Sequence, residues 1–226
     1  NRYYAAGLQP RTAVGNPYGD GYYDDFNTAV GLDSAGRTQL HHKGKLVIGV
    51  ENTPTVIFDL MQFLVIDLGG VVGQIGMGQH GTAFAHAGMR MGPAICYEGL
   101  YGDFYGDFVR RGAQFMAIIS NDGWWGDTPG YKHLFTISRL RAIEHRRAIA
   151  RSANTGMSGF ISARGDIGET LGWKKRGVIS AAVPLNSELT FYTRYGDYLG
   201  RISEYLTLLC VLYYIAYRVK RKNYLV

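Results

Sequence analysis

A lone cysteine, Cys96, closes the short apolar run Ala94-Ile95 and is followed two residues later by the carboxylate of Glu98. The other cysteine, Cys210, lies in an apolar C-terminal segment, so we expect no disulfide partner for Cys96. A metal site would need more soft ligands than the chain offers. Two interpretations remain, an inert core thiol and a nucleophile, which needs a base, a cation and an oxyanion-stabilising group nearby.

Lys43 is the natural cation candidate, because it sits at the exit of a predicted strand, where catalytic groups in layered α/β domains tend to lie. Its alternative is an ordinary solvated lysine. Glu51 and Glu98 are candidate carboxylates, and each can also be a surface glutamate. The six histidines show no metal-ligand spacing such as H-E-x-x-H, and none is favoured as the base of a Cys–His pair.

The elements that would position these residues alternate between strands and helices. Residues 28–33 and 37–43 flank a Ser-Ala-Gly turn and predict a hairpin that ends at Lys43. Residues 102–112 predict a helix directly after the cysteine. Residues 115–119 form a fully apolar run typical of a buried strand, and a polar and aromatic loop follows it. The 17 tyrosines and 31 glycines also favour sheet and turn over a helical bundle.

The second half of the chain continues this pattern. Hydrophobic residues recur every third position at Leu134, Ile137, Leu140 and Ile143, and they predict a helix whose outer face is basic. Strands are predicted over 149–152, 158–163 and 167–171, so the fold class is α/β and layered. The basic face is assigned to Arg139, Arg146 and Arg147.

A glycine-rich stretch precedes the cysteine and contains a formal G-x-G-x-x-G at Gly76, Gly78 and Gly81. A dinucleotide site would need a strand before this motif and a helix that starts within it. The residues that follow alternate weakly instead, so a glycine-rich loop is predicted and the nucleotide site is the alternative. Residues 58–66 predict a short helix.

Residues 205–217 are uncharged and strongly apolar, and the basic cluster 218–222 follows them. By length alone a core or interfacial helix is the better guess, since a span needs about 20 residues. Snorkelling of Arg218 and flanking charged residues extend the usable stretch to about 18. We therefore predict a transmembrane helix over 198–219, a cytoplasmic basic tail over 220–226 and an α/β domain across the membrane. The modest net charge of +6 comes partly from this tail, so nucleic-acid binding is not expected.

Three motifs in order carry a resemblance to a known family. They are H-K-x-x-L-V with Glu51, then I-C-Y-E at 95–98, then S-N-D-G-W-W-G-D at 120–127. The series resembles the nitrilase superfamily and, within it, the nitrilase-like domain of the apolipoprotein N-acyltransferase family. Supporting pieces are R-L-R-A-I-E at 139–144, R-S-A-N-T-G at 151–156 and Tyr195-Gly196-Asp197 before the terminal apolar segment.

The resemblance implies an α-β-β-α sandwich over 1–197 and a Glu-Lys-Cys catalytic set. Cys96 would take an acyl chain from a phospholipid as a thioester, and Lys43 would support the oxyanion and the thiolate. The acyl group would pass to the amine of an S-diacylglyceryl-cysteine at a lipoprotein N-terminus, with no metal or dissociable cofactor. The remaining implied site residues are Glu51 as the accessory carboxylate, Glu98 as a further contributor, and Tyr97 and Trp124 as lining residues.

The implied location is the bacterial inner membrane, with the catalytic domain on the periplasmic side. Two alternatives stay open: a membrane-tethered nitrilase-type amidase acting on small carbon–nitrogen substrates, and a non-catalytic scaffold.

One departure from the family pattern concerns the general base. The family's general-base glutamate lies upstream of the lysine, whereas residues 1–50 contain no glutamate. We expect this glutamate and further membrane helices to lie in a missing N-terminal portion. The 226-residue chain alone is then expected to be inactive, because nothing in it can deprotonate Cys96 or the incoming amine.

Overall fold

The computed structural model describes residues 2–3, 24–33, 35–47, 51 and 75–223. Strands within these ranges are β1 (Arg2–Tyr3), β2 (Asp24–Asp25), β3 (Thr28–Leu32), β4 (Thr38–His42), β5 (Phe84–His86), β6 (Met89–Ile95), β7 (Phe115–Ser120), β8 (Ile149–Ala153), β9 (Ser158–Ile161) and β10 (Ile167–Leu171). Helices are α1 (Gly102–Arg110), α2 (Pro129–His145), α3 (Phe191–Tyr195) and α4 (Tyr198–Asn223). Two 3-10 turns cover Cys96–Leu100 and Gly123–Trp125.

The predicted hairpin is confirmed as the antiparallel pair β3–β4. Thr28 pairs with His42 at its open end and Leu32 with Thr38 near the turn. Lys43 follows β4 directly, and its backbone N–H donates to the carbonyl of Asn27 at 2.8 Å. The lysine is therefore fixed at a strand exit, as the sequence predicts.

Within the described part of the chain, six strands form one sheet in the order β10-β9-β8-β7-β6-β5. The central neighbours β6, β7 and β8 run parallel, and the outer pairs are antiparallel. Helix α1 connects β6 to β7, and α2 connects β7 to β8. Because parallel strands end at the same edge, the loops that follow β6, β7 and β8 meet there, which is where α/β sheets bind ligands.

Helices α1 and α2 contribute to the core together with the central strands. Helix α1 confirms the predicted helix after the cysteine and buries Tyr105, Phe108 and Val109. The buried cluster consists of Ala94, Tyr105, Phe108, Val109, Ala113, Met116, Ile118, Phe135, Ala142, Ile149 and Ile161.

Helix α2 exists as predicted and Arg146 is exposed as predicted, but the predicted apolar face and the placement of Arg147 are wrong. Leu140 and Ile143 are 47% and 41% exposed, whereas Arg147, assigned to the basic outer face, is 1% exposed. A spacing of three drifts around a helix of 3.6 residues per turn, so the four apolar residues cannot share one face. The Arg147 guanidinium is accommodated inside because it donates to the carbonyls of Ala113 and Glu188 at 2.7 and 2.9 Å.

The glycine-rich stretch is a loop over its described part, and β5 follows it with no intervening helix, so the dinucleotide alternative is wrong. Its glycines allow close packing. A Cβ on Gly78 would lie 2.1 Å from the carbonyl oxygen of His42, and one on Gly76 would lie 2.3 Å from the Phe26 ring. The loop is therefore built against the β3–β4 hairpin. The predicted helix over 58–66 lies outside the described residues.

Helix α4 contains a 21-residue stretch, Tyr198–Arg218, that is long and apolar enough to cross a membrane. Its mean hydropathy is 1.3, and none of it is buried. The helix continues to Asn223, so the basic tail predicted over 220–226 begins inside the helix. The boundaries 1–197 and 198–219 stay predictions.

Candidate active site

Cys96 begins the 3-10 turn that follows β6, with its side chain partly exposed. Its φ of +46° lies in the left-handed region, which a residue with a Cβ rarely adopts. Such strain persists only where the surrounding structure holds it, and it is concentrated at functional sites. The turn therefore presents the thiol at the sheet edge where the parallel strands end.

A cavity of about 460 Å³ opens at this edge. Five of the six predicted site residues line it, and Glu98 is the exception. Among the described residues, the wall combines a cation, a carboxylate and a thiol with amides and apolar side chains. The lining residues are Asn27, Lys43, Val47, Glu51, Ile95, Cys96, Tyr97, Ile119, Ser120, Asn121, Trp124, Trp125, Leu134 and Asn154.

Lys43 and Glu51 form an ion pair in the cavity wall. The Lys43 Nζ lies 2.7 and 2.9 Å from the two Glu51 oxygens, and the lysine side chain is 2% exposed. The carboxylate also accepts from the Asn27 amide at 2.9 Å and from the Val47 backbone N–H at 2.8 Å. Burial raises the pKa of Glu51, but these hydrogen bonds outweigh burial and hold the pKa below its ordinary value. A carboxylate so stabilised is a weak base, which fits an accessory role.

Glu98 is fully buried and lies outside the cavity wall. Its oxygens accept from the backbone N–H groups of Gly44 and Ile95, each at 2.6 Å. The Nε2 atom of His41 lies 3.1 Å from both oxygens. The structure thus places Glu98 between the strand exit that carries Lys43 and the turn that carries Cys96, rather than against a substrate.

Aromatic side chains form another part of the cavity wall. The Tyr97 ring packs edge-on against Tyr101 with centroids 5.6 Å apart. Trp124 and Trp125 are 55% and 48% exposed although both line the cavity. The Thr128 hydroxyl donates to the Trp125 carbonyl at 2.6 Å and so ties their turn to the start of α2. These rings offer an apolar surface that continues from the cavity to the outside.

The polar loop motif at 120–127 contributes Asp122 to a second ion pair, with Arg151, and both side chains are buried. Arg151 donates through Nη2 to both Asp122 oxygens at 2.8 and 3.0 Å, and the Ser120 hydroxyl donates to Asp122 at 2.5 Å. A Cβ on Gly156 would lie 2.0 Å from an Asp122 oxygen. Two of the resembled motifs therefore meet at this pair, which holds the loops around the cavity.

Several lining residues escaped the sequence predictions. Asn27 comes from the start of the hairpin and carries no motif, so no local signal marks it. Asn121 and Asn154 lie inside resembled motifs, and that position is the only signal that could have found them. Within the described ranges, no group of three or more His, Cys, Asp or Glu side chains could hold a metal ion.

Comparison of the chain with known proteins identifies its family. The carbon-nitrogen hydrolase model matches residues 3–189. A Chlorobaculum tepidum protein named apolipoprotein N-acyltransferase is 36% identical over 77% of this chain and 34% of its own length. A protein of the same name from Verminephrobacter eiseniae is 35% identical over 80% of this chain and 34% of its own length. The chain spans about a third of the length of these curated relatives.

Solved structures share the fold at low sequence identity. An amidase from Nesterenkonia sp. AN1 gives a TM-score of 0.50 at 14% identity and covers 78% of this chain and 62% of its own. Saccharomyces cerevisiae Nit3, a nitrilase-superfamily member, gives a TM-score of 0.50 at 18% identity, and the match covers 67% of this chain and 51% of Nit3. The predicted family and nitrilase-like α/β fold class are confirmed. The chain belongs to the carbon-nitrogen hydrolase family.

Proposed function

We propose that this chain is the catalytic domain of an acyltransferase that modifies bacterial lipoproteins. The donor is a membrane phospholipid, and the acceptor is the N-terminal amine of an S-diacylglyceryl-cysteine. The observation that carries the proposal is the shared cavity of Cys96 and the Lys43–Glu51 pair. The relatives named apolipoprotein N-acyltransferase support the choice of reaction.

In the first step the Cys96 thiolate attacks the carbonyl carbon of a phospholipid acyl ester. A C–S bond forms and the ester C–O bond breaks. The general base takes the proton that Cys96 loses and returns it to the departing oxygen, so the lysophospholipid leaves as an alcohol. The Lys43 ammonium lies on the same cavity and stabilises the oxyanion that develops on the carbonyl. Glu51 keeps that ammonium at the wall through its two hydrogen bonds.

In the second step the lipoprotein amine attacks the thioester carbon. A C–N bond forms, the C–S bond breaks, and the Cys96 thiolate is regenerated. A thiol suits both steps because it attacks an ester readily and also leaves readily. The amine must lose a proton, and Glu51 is a weak base for this purpose. The proposal therefore assigns the proton to a glutamate outside residues 1–226.

The membrane location of both substrates agrees with helix α4. Its apolar stretch suits a span that ends at Arg218, and Lys220 follows it. By the positive-inside rule, the proposal puts this basic end in the cytoplasm and the catalytic domain on the periplasmic face of the inner membrane. The exposed rings of Trp124 and Trp125 would then offer an apolar path for an acyl chain.

The test uses a gene product that carries residues 1–226 with any coding sequence upstream of Asn1. It is purified in detergent with Cys210→Ser, so that Cys96 is the thiol under study. We expect phospholipid with a labelled acyl chain to give a thioester on Cys96. Adding a diacylglyceryl-cysteine peptide should move the label to the peptide amine, and Cys96→Ala should remove both signals.

The outcomes separate the alternatives. Ammonia release from small amides without acylation by phospholipid would support the tethered amidase instead. A protein with neither activity, even with its upstream sequence, would support the scaffold. The proposal also expects residues 1–226 alone to show no turnover, and turnover by that chain would contradict the assignment of the base.

A further inference from the structure

The segments that carry Lys43 and Cys96 are joined by the buried carboxylate of Glu98, and His41 lies behind it. We propose that His41 is a positioning residue that acts through Glu98 to fix the exit of β4 against the Cys96 turn. The inference rests on the proposed function in taking Lys43 and Cys96 as the reacting pair. His41 touches neither the cavity nor, by this proposal, the substrate.

Each oxygen of Glu98 holds the backbone neighbour of one reacting residue. Oε1 accepts from the N–H of Gly44, which follows Lys43, and Oε2 accepts from the N–H of Ile95, which precedes Cys96. Both hydrogen bonds are 2.6 Å long. A shift of this carboxylate would therefore change the separation of the lysine and the thiol.

His41 is placed to hold the carboxylate still. Its Nε2 lies 3.1 Å from both Glu98 oxygens, so the ring N–H points between them. Its Nδ1 lies 3.3 Å from the Thr82 hydroxyl, and its ring packs edge-on against Phe108 at 4.8 Å. His41 is 1% exposed and Glu98 is 0% exposed. A buried carboxylate needs such partners because its burial is otherwise costly.

The packing around the exit of β4 and around the Cys96 turn leaves little freedom for either segment to move independently. A Cβ on Gly44 would lie 2.3 Å from the Phe104 ring, so the chain there packs closely. The N–H of Gly78 donates to the Lys43 carbonyl at 2.9 Å. On the other side, the positive φ of Cys96 must be held by its neighbours, and the Glu98–Ile95 hydrogen bond is adjacent to it.

A second buried histidine provides a matched control. His145 is 0% exposed, and its ring bonds to the Thr193 hydroxyl at 2.9 Å and the Gly102 carbonyl at 3.2 Å. It does not line the cavity. Replacing either histidine by leucine removes buried hydrogen bonds. His41 contacts Glu98, which is bonded to the neighbours of Lys43 and Cys96, whereas the ring partners of His145 are Thr193 and the first residue of α1.

The experiment measures alkylation of Cys96 by iodoacetamide, followed by mass spectrometry, in the Cys210→Ser background. The variants are His41→Leu, His41→Gln and His145→Leu, compared below the unfolding temperature of each. We expect His41→Leu to slow alkylation by about tenfold, because iodoacetamide reacts with the thiolate and a displaced Lys43 ammonium stabilises that thiolate less. His41→Gln should stay close to the parental rate, because its amide N–H can replace Nε2–H. His145→Leu should lower the unfolding temperature and leave alkylation unchanged.

Three results would overturn the proposal: parental alkylation in His41→Leu, equal slowing in His41→Gln, or equal slowing in His145→Leu. Should His41→Leu fail to fold, His41→Asn takes its place, because the shorter amide cannot reach Glu98 and slow alkylation is again expected. Alkylation requires neither phospholipid nor peptide. A parent that alkylates as expected but transfers no acyl group would contradict the proposed function and leave the role of His41 standing.

Discussion

The Lys43–Glu51 and Asp122–Arg151 pairs have nearly the same contact geometry and very different surroundings. Their shortest N···O distances are 2.7 and 2.8 Å. The Glu51 side chain is 17% exposed and lines the cavity, whereas the Asp122 side chain is fully buried. Both pairs belong to motifs of the family resemblance. An ion pair in a resembled motif therefore does not by itself mark chemistry, and access to the cavity separates the two.

The difference has a physical basis. A fully buried pair must satisfy its charges internally, and Asp122 does so with Arg151 and the Ser120 hydroxyl. Such a pair fixes loops and has no vacant approach for a substrate. Lys43 instead holds its charge where a carbonyl oxygen can reach it. We therefore expect changes at the Asp122–Arg151 pair to affect stability most and changes at the Lys43–Glu51 pair to affect reactivity most.

The largest effect is expected from Arg151→Met. It leaves the Asp122 carboxylate buried without its cation, which costs about 3–5 kcal/mol of unfolding free energy. Chemical denaturation in detergent, followed by tryptophan fluorescence, measures the loss. The matched control is Arg164→Met at the exposed Arg164–Asp166 pair, which should remain close to parental stability. Equal stability of the two variants would contradict a structural role for the enclosed pair.

Lys43→Met should come next and act on reactivity. Acyl transfer to Cys96 should fall by about a hundredfold, the usual cost of removing one oxyanion-stabilising group. The loss of stability should be smaller than for Arg151→Met, since Glu51 keeps the Asn27 and Val47 donors. Lys45→Met is the control, because Lys45 lies over the Tyr101 ring at 5.2 Å and does not line the cavity. Equal loss of transfer in both variants would refute a specific role for Lys43.

Gly156→Ala tests the packing of the enclosed pair. The new Cβ would lie 2.0 Å from an Asp122 oxygen, so the carboxylate must move, at a cost of about 1–3 kcal/mol of unfolding free energy. Gly172→Ala is the control, because nothing lies within 4 Å of the corresponding Cβ. Thermal unfolding of the two variants measures the difference, and equal stability would show that Asp122 is not held as tightly as the contacts indicate.

The smallest effect is a pH dependence at Glu51. Burial raises the pKa of Glu51, but the hydrogen bonds from Lys43, Val47 and Asn27 lower it by more than burial raises it. The pKa of Glu51 in the folded protein is therefore below its value in the unfolded chain. The resulting stabilisation is fully present above the unfolded pKa and is lost as pH falls through the folded pKa. The stability difference between parent and Glu51→Gln should therefore stay constant from pH 7 to about 5 and shrink below about pH 4.5. A difference that already shrinks above pH 5 would contradict a lowered pKa.

The sequence predicted the parts of the site that depend on local order. The hairpin before Lys43, the helix after Cys96 and the buried strand over 115–119 all follow from apolar runs and turn residues. The motif order also identified the family. These predictions succeeded because strand and helix periodicity is a property of neighbouring residues.

The burial of charged residues was not predictable in the same way. An arginine is expected at the surface, but Arg147 is buried because carbonyls from distant segments accept its hydrogen bonds. The Glu98 carboxylate, two residues from the nucleophile, suggested a direct chemical role. The structure turns it inward instead, toward a histidine 57 positions away.

By itself, the sequence determined the fold class, the family and the order in which Lys43, Glu51 and Cys96 enter the site. Only the tertiary structure decided that Lys43 and Cys96 share one cavity, that Asp122 and Glu98 lie outside its wall, and that His41 stands behind Glu98. The reason is physical. Whether a charged group is solvated, paired or aimed at a cavity depends on donors from distant segments, and local periodicity does not report which segments meet.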